Sequence, residues 1–219
     1  MNTQSQKNVF LQEEGDRWHT RNNISNDKLE FKRNNDPIWL EIQKCAPQWA
    51  PSKILEIGAN NGWRLHLLQE IWPTCTMIGI DPSEAAITNG YDGINLQQGT
   101  ADMLDFQNEE FDIVIFGFCL YLCDRSDLFQ IAAEADRVLK NNGHLIIYDF
   151  FSAEPYKNPY SHIEGLYSYK MDNSKLFTWN PSYQVVKSIQ QPHPGYEEHP
   201  DNMVALHILH KNLECWQDN

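Results

Sequence analysis

The residues best suited to chemistry surround one glycine-bearing turn. The octapeptide Leu55-Glu56-Ile57-Gly58-Ala59-Asn60-Asn61-Gly62 has an acidic side chain before its first glycine, and Asp81-Pro82 follows about twenty residues later. Glycine lacks a Cβ atom, so a turn built on Gly58 and Gly62 lets a ligand approach the backbone closely. A carboxylate at Asp81, where the next strand ends, can accept hydrogen bonds from both hydroxyls of a ribose. The spacing therefore predicts a site for a cofactor that contains a nucleoside.

Two classes of nucleoside cofactor bind to such turns, dinucleotides and S-adenosylmethionine. A dinucleotide site needs the spacing Gly-x-Gly-x-x-Gly, because its pyrophosphate meets the backbone where a helix begins. Here the pattern is Glu56-x-Gly58-x-Asn60-x-Gly62, and the bulky Trp63 follows at once. Glu56 is unfavourable beside a diphosphate, whereas it suits the cationic amino and sulfonium groups of S-adenosylmethionine. The residues favour the methyl donor, and an NAD-dependent enzyme is the weaker alternative.

Strand and helix signals alternate through the middle of the chain. Apolar runs predict strands, and apolar residues at helical spacing predict helices. The predicted strands are residues 53–57, 76–80, 94–97, 112–116, 144–150, 183–189 and 203–210; the predicted helices are residues 63–71, 83–89 and 125–139, with another that begins at Asp36-Pro37. The last two strands have no helix between them and are expected to pair antiparallel. This order predicts an α/β fold, with helices on both faces of a mostly parallel sheet and a C-terminal antiparallel hairpin.

The predicted organisation is a single domain over residues 1–219, a length that is ordinary for one domain. Residues 1–35 form an N-terminal lid segment and residues 36–150 the cofactor-binding core. Residues 151–182 form an insertion on the substrate side, and residues 183–219 form the C-terminal strand pair and tail.

Composition excludes several classes of partner. The formal net charge is −13, whereas nucleic acid and anionic membranes require a basic surface, so neither is an expected partner. No apolar stretch approaches the roughly 18 residues of a membrane span, and the N-terminus lacks the apolar core of a leader. This predicts a cytoplasmic protein without membrane insertion. The five cysteines form no Cys-x-x-Cys or Cys/His pattern, so no metal site is predicted. The oligomeric state is left open.

Two motifs resemble those of a known family. Gly15-Asp16-Arg17-Trp18-His19-Thr20-Arg21-Asn22 is similar to a Gly-Asp-x-aromatic-x-x-Arg-Asn motif, and residues 55–62 are similar to Leu-Glu-(Leu/Ile)-Gly-Ala-Asn-x-Gly. Both belong to methylases encoded with surface-sugar biosynthesis, such as those associated with pseudaminic acid. More broadly, residues 53–150 resemble the class I, or Rossmann-like, S-adenosylmethionine-dependent methyltransferases. The resemblance implies a seven-stranded class I sandwich and methyl transfer that leaves S-adenosylhomocysteine as product.

The resemblance also implies a set of donor-binding residues. The glycine-bearing turn lines the methionine moiety, and the carboxylate that ends the second strand holds the ribose. Residues 99–103 form the adenine pocket, in which either Thr100 or Asp102 accepts from the adenine amino group. Asn60 contacts the donor carboxylate or only tightens the turn. The full predicted set is Trp18, Arg21, Glu56, Gly58, Asn60, Gly62, Asp81, Pro82, Thr100, Ala101, Asp102, Met103 and Phe118.

The two flanks of the core are predicted to complete the site. Trp18 and Arg21 are implied to fold over the donor as a lid; the alternative is an amphipathic helix packed on the domain. Residues 156–179 mix aromatic rings with polar side chains, as polar small-molecule pockets do. The predicted acceptor contacts in this segment are Tyr160, Tyr167, Tyr169 and Lys170.

Transfer to a hydroxyl is helped by a general base. His162, within the aromatic segment, is the predicted base, and His19, in the first motif, is the alternative. The predicted function is methyl transfer to a small-molecule acceptor, through a hydroxyl of a sugar, sugar nucleotide or surface-glycan precursor. The alternative is a catalytically silent donor-binding scaffold, because the donor-binding residues alone say nothing about turnover.

Overall fold

The computed structural model describes residues 5–198 and 201–216 of the chain. The first four residues of the predicted N-terminal segment and the last three of the predicted tail lie outside the described residues. The strands are β1 (Lys53–Ile57), β2 (Thr76–Asp81), β3 (Asn95–Gln98), β4 (Phe111–Gly117), β5 (Leu139–Phe150), β6 (Tyr156–Pro159), β7 (Tyr167–Lys170), β8 (Tyr183–Pro192) and β9 (Met203–Lys211).

One mixed sheet of seven strands forms the centre of the fold, in the order β3-β2-β1-β4-β5-β9-β8. The five strands from β3 to β5 in this order are parallel, whereas β9 runs antiparallel to both β5 and β8. The predicted mostly parallel sheet with a C-terminal antiparallel hairpin is therefore confirmed.

The helices are α1 (Gln6–Val9), α2 (Gly15–Asn22), α3 (Asn26–Asn35), α4 (Pro37–Cys45), α5 (Trp63–Ile71), α6 (Glu84–Thr88), α7 (Leu128–Val138) and α8 (Lys175–Thr178), with a π-helical segment at Phe10–Glu14. Helix α4 begins as predicted: the Asp36 carboxylate accepts a hydrogen bond from the Trp39 backbone N–H at 2.9 Å, and Pro37 occupies the first turn. Among the described residues, no helix combines the length and apolar character needed to cross a bilayer.

Helices cover both faces of the sheet, because successive residues of a strand point to opposite sides. In β1, Ile54 belongs to the buried cluster that contains Ile42 of α4 and Leu68 of α5. The next residue, Leu55, belongs to the opposite cluster, which contains Ile131 of α7. Strands β1, β2, β4 and β9 are largely apolar because both of their sides are buried.

The sheet reverses its order at β1, with β2 on one side and β4 on the other. The loops that follow β1 and β4 therefore diverge and open a crevice at the carboxyl ends of the strands. The turn after β1 is tied to the end of β2, because the N–H groups of Gly58 and Ala59 both donate to the Ile80 carbonyl, at 2.8 and 3.0 Å. This crevice is where the sheet topology places a ligand.

Four stretches differ from the sequence prediction. Strand β5 begins at Leu139 rather than at residue 144. Helix α7 begins at Leu128 rather than at residue 125, because the Arg125 guanidinium donates to the carbonyls of Leu120 and Cys123 and holds that segment in a turn. Residues 156–170, where no strand was predicted, form the β6–β7 hairpin. The N-terminal segment contains three helices, α1 to α3, before the core begins.

Candidate active site

The turn between β1 and α5 uses left-handed backbone at three positions. The φ angle is +74° at Gly58, +51° at Asn60 and +74° at Gly62. A Cβ atom on Gly58 would lie 2.5 Å from the Cβ of Cys119, so both the dihedral angle and the close approach require glycine. Gly62 packs against Ile94 instead. Gly58 therefore forms the floor of the crevice, whereas Gly62, predicted to line the donor, only shapes the turn.

The crevice is a cleft with two ends that join at Trp18, Gly58 and Phe118, since these three residues line both. The narrow end has a volume of about 120 Å³, and its lining includes Asp81, Pro82, Thr100, Ala101, Asp102 and Ile131. The aromatic end has a volume of about 430 Å³, and its lining includes Tyr121, Tyr148, Phe150, Tyr160, His193 and Tyr196.

Asp81 ends β2 at the narrow end. Its Oδ2 accepts a hydrogen bond from the Asn60 backbone N–H at 2.7 Å, and its Oδ1 accepts one from the Ser83 N–H at 3.0 Å. Burial raises the pKa of Asp81 to about 6, although these hydrogen bonds oppose the rise. Each oxygen keeps a further acceptor position, so the carboxylate can receive the two hydroxyls of a ribose.

The segment after β3 lines the narrow end as predicted, through Thr100, Ala101 and Asp102. The Asp102 carboxylate is already paired with the Lys7 ammonium at 2.5 Å. Although burial raises it, hydrogen bonds from Lys7 and Thr100 hold the pKa of Asp102 below its usual value. Asp102 is thus engaged, which favours the Thr100 oxygen as the acceptor for an adenine amino group.

Met103 does not line the cleft, contrary to the prediction. Its side chain is 77% exposed. Residues 100–103 form a tight turn in which the Met103 N–H donates to the Thr100 carbonyl at 3.3 Å, and this turn directs the Met103 side chain outwards.

Glu56 is fully buried and faces Arg64 rather than the cleft. Its carboxylate pairs with the Arg64 guanidinium, which also binds Asp36 at 3.0 Å. A Cβ atom on Gly117 would collide with both Glu56 and Arg64, so a glycine here leaves room for the pair. Burial raises the pKa of Glu56 to about 7, and its Oε2 has no hydrogen-bond partner among the described residues. The predicted direct lining by Glu56 is replaced by an ion cluster that presents Arg64 to the aromatic end.

The first sequence motif folds over the cleft. Asp16 of α2 accepts hydrogen bonds from the Ser83 hydroxyl at 2.6 Å and from the Ala85 N–H at 3.0 Å, where α6 begins. Gly15 lies so close to Ser83 that a Cβ atom would be 3.3 Å from its backbone. Trp18 reaches the junction of the two ends, where its indole N–H donates to the Tyr121 hydroxyl at 3.3 Å. This is the arrangement that a lid over the cleft requires.

His19, the alternative base, faces the glycine-bearing turn and lines neither end of the cleft. It is buried, its Nδ1 donates to the Asn60 side-chain oxygen, and its Nε2 accepts from the Asn89 amide at 3.3 Å. With both nitrogens occupied, His19 has no free position for a proton from an acceptor, so the structure contradicts this prediction. The same contact holds the Asn60 side chain and tightens the turn.

Arg21 also lies outside the cleft, contrary to its predicted contact with the donor. Its guanidinium binds the buried Glu14 carboxylate and lies 3.1 Å from the Tyr160 hydroxyl, which itself donates to Glu14 at 2.7 Å. Because Tyr160 follows β6, this triad joins the N-terminal segment to the insertion.

Phe118 occupies the junction in a left-handed conformation, with φ +70°, which is unusual for a bulky residue. Its ring centroid lies 5.3 Å from that of Tyr121, 5.4 Å from Tyr148, 4.8 Å from Phe150 and 5.2 Å from His193. Strained residues of this kind persist where the surrounding structure holds them and are common at functional sites. Four rings thus converge on the residue predicted to lie beside the donor.

From the insertion, Tyr160 and His162 line the aromatic end. His162 is exposed at the rim, with its ring edge-on to Tyr160 at 5.2 Å between centroids. The predicted base thus lies at the exposed rim of the aromatic end.

The other predicted acceptor contacts lie elsewhere, because the β6–β7 hairpin turns them away from the cleft. The Lys157 ammonium lies 3.6 Å from the centroid of the Tyr167 ring, and the Arg125 guanidinium lies 4.3 Å from that of Tyr169. Lys170 is buried, with its ammonium 4.3 Å from the Phe150 ring centroid. Tyr169 and Lys170 thus pack on the core, Tyr167 packs within the hairpin, and none of the three lines the aromatic end.

Several residues of the aromatic end were not predicted. Lys28 and Lys32 come from one face of α3, and His193 and Tyr196 come from the connection between β8 and β9. The spacing of the two lysines, one helical turn apart, was a usable signal once α3 had been recognised. The β8–β9 connection has no periodicity, so nothing in its sequence indicated that it returns to the cleft.

Comparison with known proteins finds a family whose sequences resemble part of this chain. Residues 55–147 match the family described as methyltransferase domain. The chain is 29% identical over 138 residues to the uncharacterised methyltransferase YcgJ of Bacillus subtilis, a match that covers 58% of this chain and 51% of that protein. It is 28% identical over 109 residues to malonyl-[acyl-carrier protein] O-methyltransferase of Methylococcus capsulatus, covering 47% and 39% respectively. The chain thus spans about half, or less, of these relatives.

A solved structure with the same fold is 1,6-didemethyltoxoflavin-N1-methyltransferase of Burkholderia thailandensis, determined with S-adenosylhomocysteine bound. The TM-score is 0.59 at 15% identity, and the superposition covers 85% of this chain and 86% of that one. Residues 55–147 therefore match a methyltransferase domain, and the chain has the fold of the class I methyltransferases. S-adenosylmethionine is the methyl donor of such domains and S-adenosylhomocysteine their product.

The residues of this methyltransferase domain fit the donor. Asp81 offers acceptor positions for the ribose, and Thr100 and Ile131 line the narrow end. Behind the glycine floor, two carboxylates face one guanidinium, so the cluster of Glu56, Arg64 and Asp36 has an excess of negative charge when ionised. Glu56 lines neither end of the cleft, so this excess acts on the ammonium and sulfonium of the donor at long range rather than by contact.

Proposed function

We propose that the chain transfers the methyl group of S-adenosylmethionine to a small molecule bound at the aromatic end of the cleft. The observation that supports this most is the junction: Trp18, Gly58 and Phe118 line both ends, so a donor in the narrow end would direct its methyl group towards the other.

The reaction is an in-line displacement that the protein assists mainly by position. When bound, S-adenosylmethionine would supply the methyl group: the acceptor oxygen would bond to the methyl carbon as the carbon–sulfur bond breaks, and the electron pair of that bond would stay on sulfur. Trp18 covers the junction and Phe118 closes its other side, so both exclude water. His162 is the proposed base that takes the hydroxyl proton at the rim and passes it to solvent.

The acceptor atom in this proposal is a hydroxyl oxygen of a sugar, sugar nucleotide or related glycan precursor. Aromatic faces with a few polar groups suit such rings, and the aromatic end combines Tyr148, Tyr160 and Tyr196 with the amides of Asn35 and Asn202. An oxygen acceptor also agrees with the name of the Methylococcus relative, which is an O-methyltransferase.

The test is incubation of the protein with methyl-labelled donor and a panel of nucleotide sugars, free sugars and small hydroxylated acids. We expect the wild type to transfer label to an acceptor and the Asp81→Ala variant to lose this transfer. Wild-type protein that binds S-adenosylhomocysteine tightly but labels no member of the panel would favour the silent scaffold. Transfer to a sugar nitrogen rather than to oxygen would keep the activity but contradict the proposed acceptor atom.

A further inference from the structure

The aromatic end contains one partly buried cation that has no carboxylate partner. Lys32 of α3 lines this end, and its ammonium lies 5.2 Å from the centroid of the Trp63 ring. Across residues 5–198 and 201–216, no carboxylate oxygen lies within 4.0 Å of that ammonium. Burial lowers the pKa of Lys32, which means that its surroundings do not fully compensate its charge.

The other charged groups nearby are already engaged. Asp36, the closest acidic influence on Lys32, binds the Arg64 guanidinium at 3.0 Å and accepts from the Trp39 N–H at 2.9 Å. Arg64 is shared between Asp36 and Glu56. Lys28, one turn before Lys32 and also at the aromatic end, adds a second positive charge rather than a counter-charge.

A positive site of this kind is notable in a chain whose net charge is −13. Withdrawing an ammonium from water is unfavourable unless an anion or hydrogen-bond acceptor replaces the water. In the described residues, the Lys32 ammonium contacts the Trp63 ring, and Asp36, the carboxylate whose charge acts on it, is held by Arg64. The cluster of Asp36, Arg64 and Glu56 acts on the ammonium only from a distance, so a ligand carboxylate would be the direct ion-pair partner that Lys32 lacks among the described residues.

We propose that Lys32 binds a carboxylate of the acceptor, so that the substrate is an acid whose ring packs on the aromatic wall. This rests on the proposed function, because it assigns the acceptor class of the same cleft. The wall is formed by Phe118, Phe150 and His193, whose rings lie 4.8 to 6.3 Å apart between centroids. Lys32 lines the same end of the cleft as these three rings.

The experiment measures binding of matched acid and neutral probes to protein saturated with S-adenosylhomocysteine. The pairs are glucuronate with glucose and benzoate with benzamide. In the wild type, at least one acid should bind at least about tenfold more tightly than its neutral partner, and Lys32→Met should remove that preference while Lys32→Arg keeps it. Lys175→Met, an exposed lysine of α8 with the same loss of charge, should behave as the wild type. Equal binding of acid and neutral probes, or a preference that survives in Lys32→Met, would overturn the proposal.

A second arm excludes the donor as the source of the carboxylate. S-adenosylhomocysteine and 5′-methylthioadenosine share the nucleoside, but only the first has the amino acid group. If Lys32 binds the acceptor, Lys32→Met should bind both within about twofold of the wild type. Weakening of S-adenosylhomocysteine alone by about tenfold or more would assign the carboxylate to the donor and overturn the proposal. Failure of the wild type to bind S-adenosylhomocysteine would instead defeat the proposed function itself.

Discussion

Asp81 is the single residue on which donor binding should depend most. Two backbone N–H groups fix its carboxylate, so it needs no rearrangement to receive a ribose. Hydrogen bonds to a charged acceptor contribute about 1.5–3 kcal/mol each. Asp81→Ala should therefore weaken S-adenosylhomocysteine binding at least about tenfold, or about 1.4 kcal/mol, by calorimetry. The control is Asp92→Ala, an exposed carboxylate. An unchanged affinity in Asp81→Ala would remove the ribose assignment.

The same carboxylate predicts how donor binding depends on pH. Burial raises the pKa of Asp81 to about 6, and only the ionised form can accept from both hydroxyls. Affinity should therefore be complete well above pH 6 and decline as the pH falls through that value, by about tenfold between pH 8 and pH 5. Asp81→Asn should show a flatter profile. A wild-type affinity that is constant over this range would contradict the prediction.

The choice of base is also a residue-scale question, because His162 and His193 both line the aromatic end. Burial lowers the pKa of His193, which weakens it as a base, whereas the exposed His162 can pass a proton to solvent. We expect His162→Ala to lower turnover by about 10²–10⁴-fold with little change in donor affinity. His193→Ala is the matched comparison. If turnover collapsed in His193→Ala and not in His162→Ala, the base would be His193 rather than His162.

At the scale of elements, α2 is the part that covers the cleft, and Asp16 joins it to α6. Asp16→Ala removes the acceptor of two hydrogen bonds, from the Ser83 hydroxyl and the Ala85 N–H. The closed position of α2 is then less favourable, so S-adenosylhomocysteine should dissociate at least about threefold faster in stopped-flow measurements. Glu13→Ala removes only an exposed pair with Arg17 and should not change the rate. Equal rates for Asp16→Ala and wild type would show that α2 does not hold the donor.

The central elements were predictable because local signals and burial agree there. Strand β1 has the predicted bounds, and the helix start at Asp36-Pro37 depends only on neighbouring residues. The lid helices were not resolved from the sequence, because α3 has no buried residues and so no apolar periodicity. The β6–β7 hairpin was missed for a related reason: its side chains are mostly exposed or half-buried, so alternation is absent.

Within the site, positions on the backbone were predicted better than the directions of side chains. Asp81 and Gly58 lie in the cleft because strand ends and left-handed turns leave them few alternatives. Glu56, His19 and Arg21 were placed in the correct region but turn towards Arg64, Asn60 and Glu14. Arg64 and Glu14 are close in sequence to their partners but at spacings that predict no contact, and Asn60 is far from His19, so only the folded chain decides which polar group each side chain meets.

At the scale of the whole molecule, the arrangement of side chains that could ligate a metal predicts that methyl transfer needs no metal ion. Among the described residues, no group of three or more His, Cys, Asp and Glu side chains is arranged to hold an ion. The acidic residues of the cleft are engaged by protein donors, as in the pair of Asp102 with Lys7. Activity measured after treatment with EDTA should therefore equal the untreated rate within about twofold, and stimulation by magnesium would contradict this.

The donor should also stabilise the molecule as a whole, because the narrow end is built from distant parts of the chain. Lys7 and Trp18 come from the N-terminal segment, Asp81 from β2 and Ile131 from α7. A ligand that binds only the folded state adds about 2.7 kcal/mol to the free energy of unfolding at one hundred times its Kd. For a chain of this size, that corresponds to a rise in Tm of about 5–11 °C.

S-adenosylhomocysteine should therefore raise the Tm by this amount in differential scanning fluorimetry, and NAD at the same concentration should not. The comparison is decisive because both ligands contain adenosine, whereas only S-adenosylhomocysteine brings an ammonium to the excess negative charge around Glu56 and Arg64. NAD also brings a diphosphate, which the same charge repels. Asp81→Ala should show a smaller shift at equal ligand concentration. A larger shift with NAD than with S-adenosylhomocysteine would contradict the assignment of the donor, whatever the acceptor proves to be.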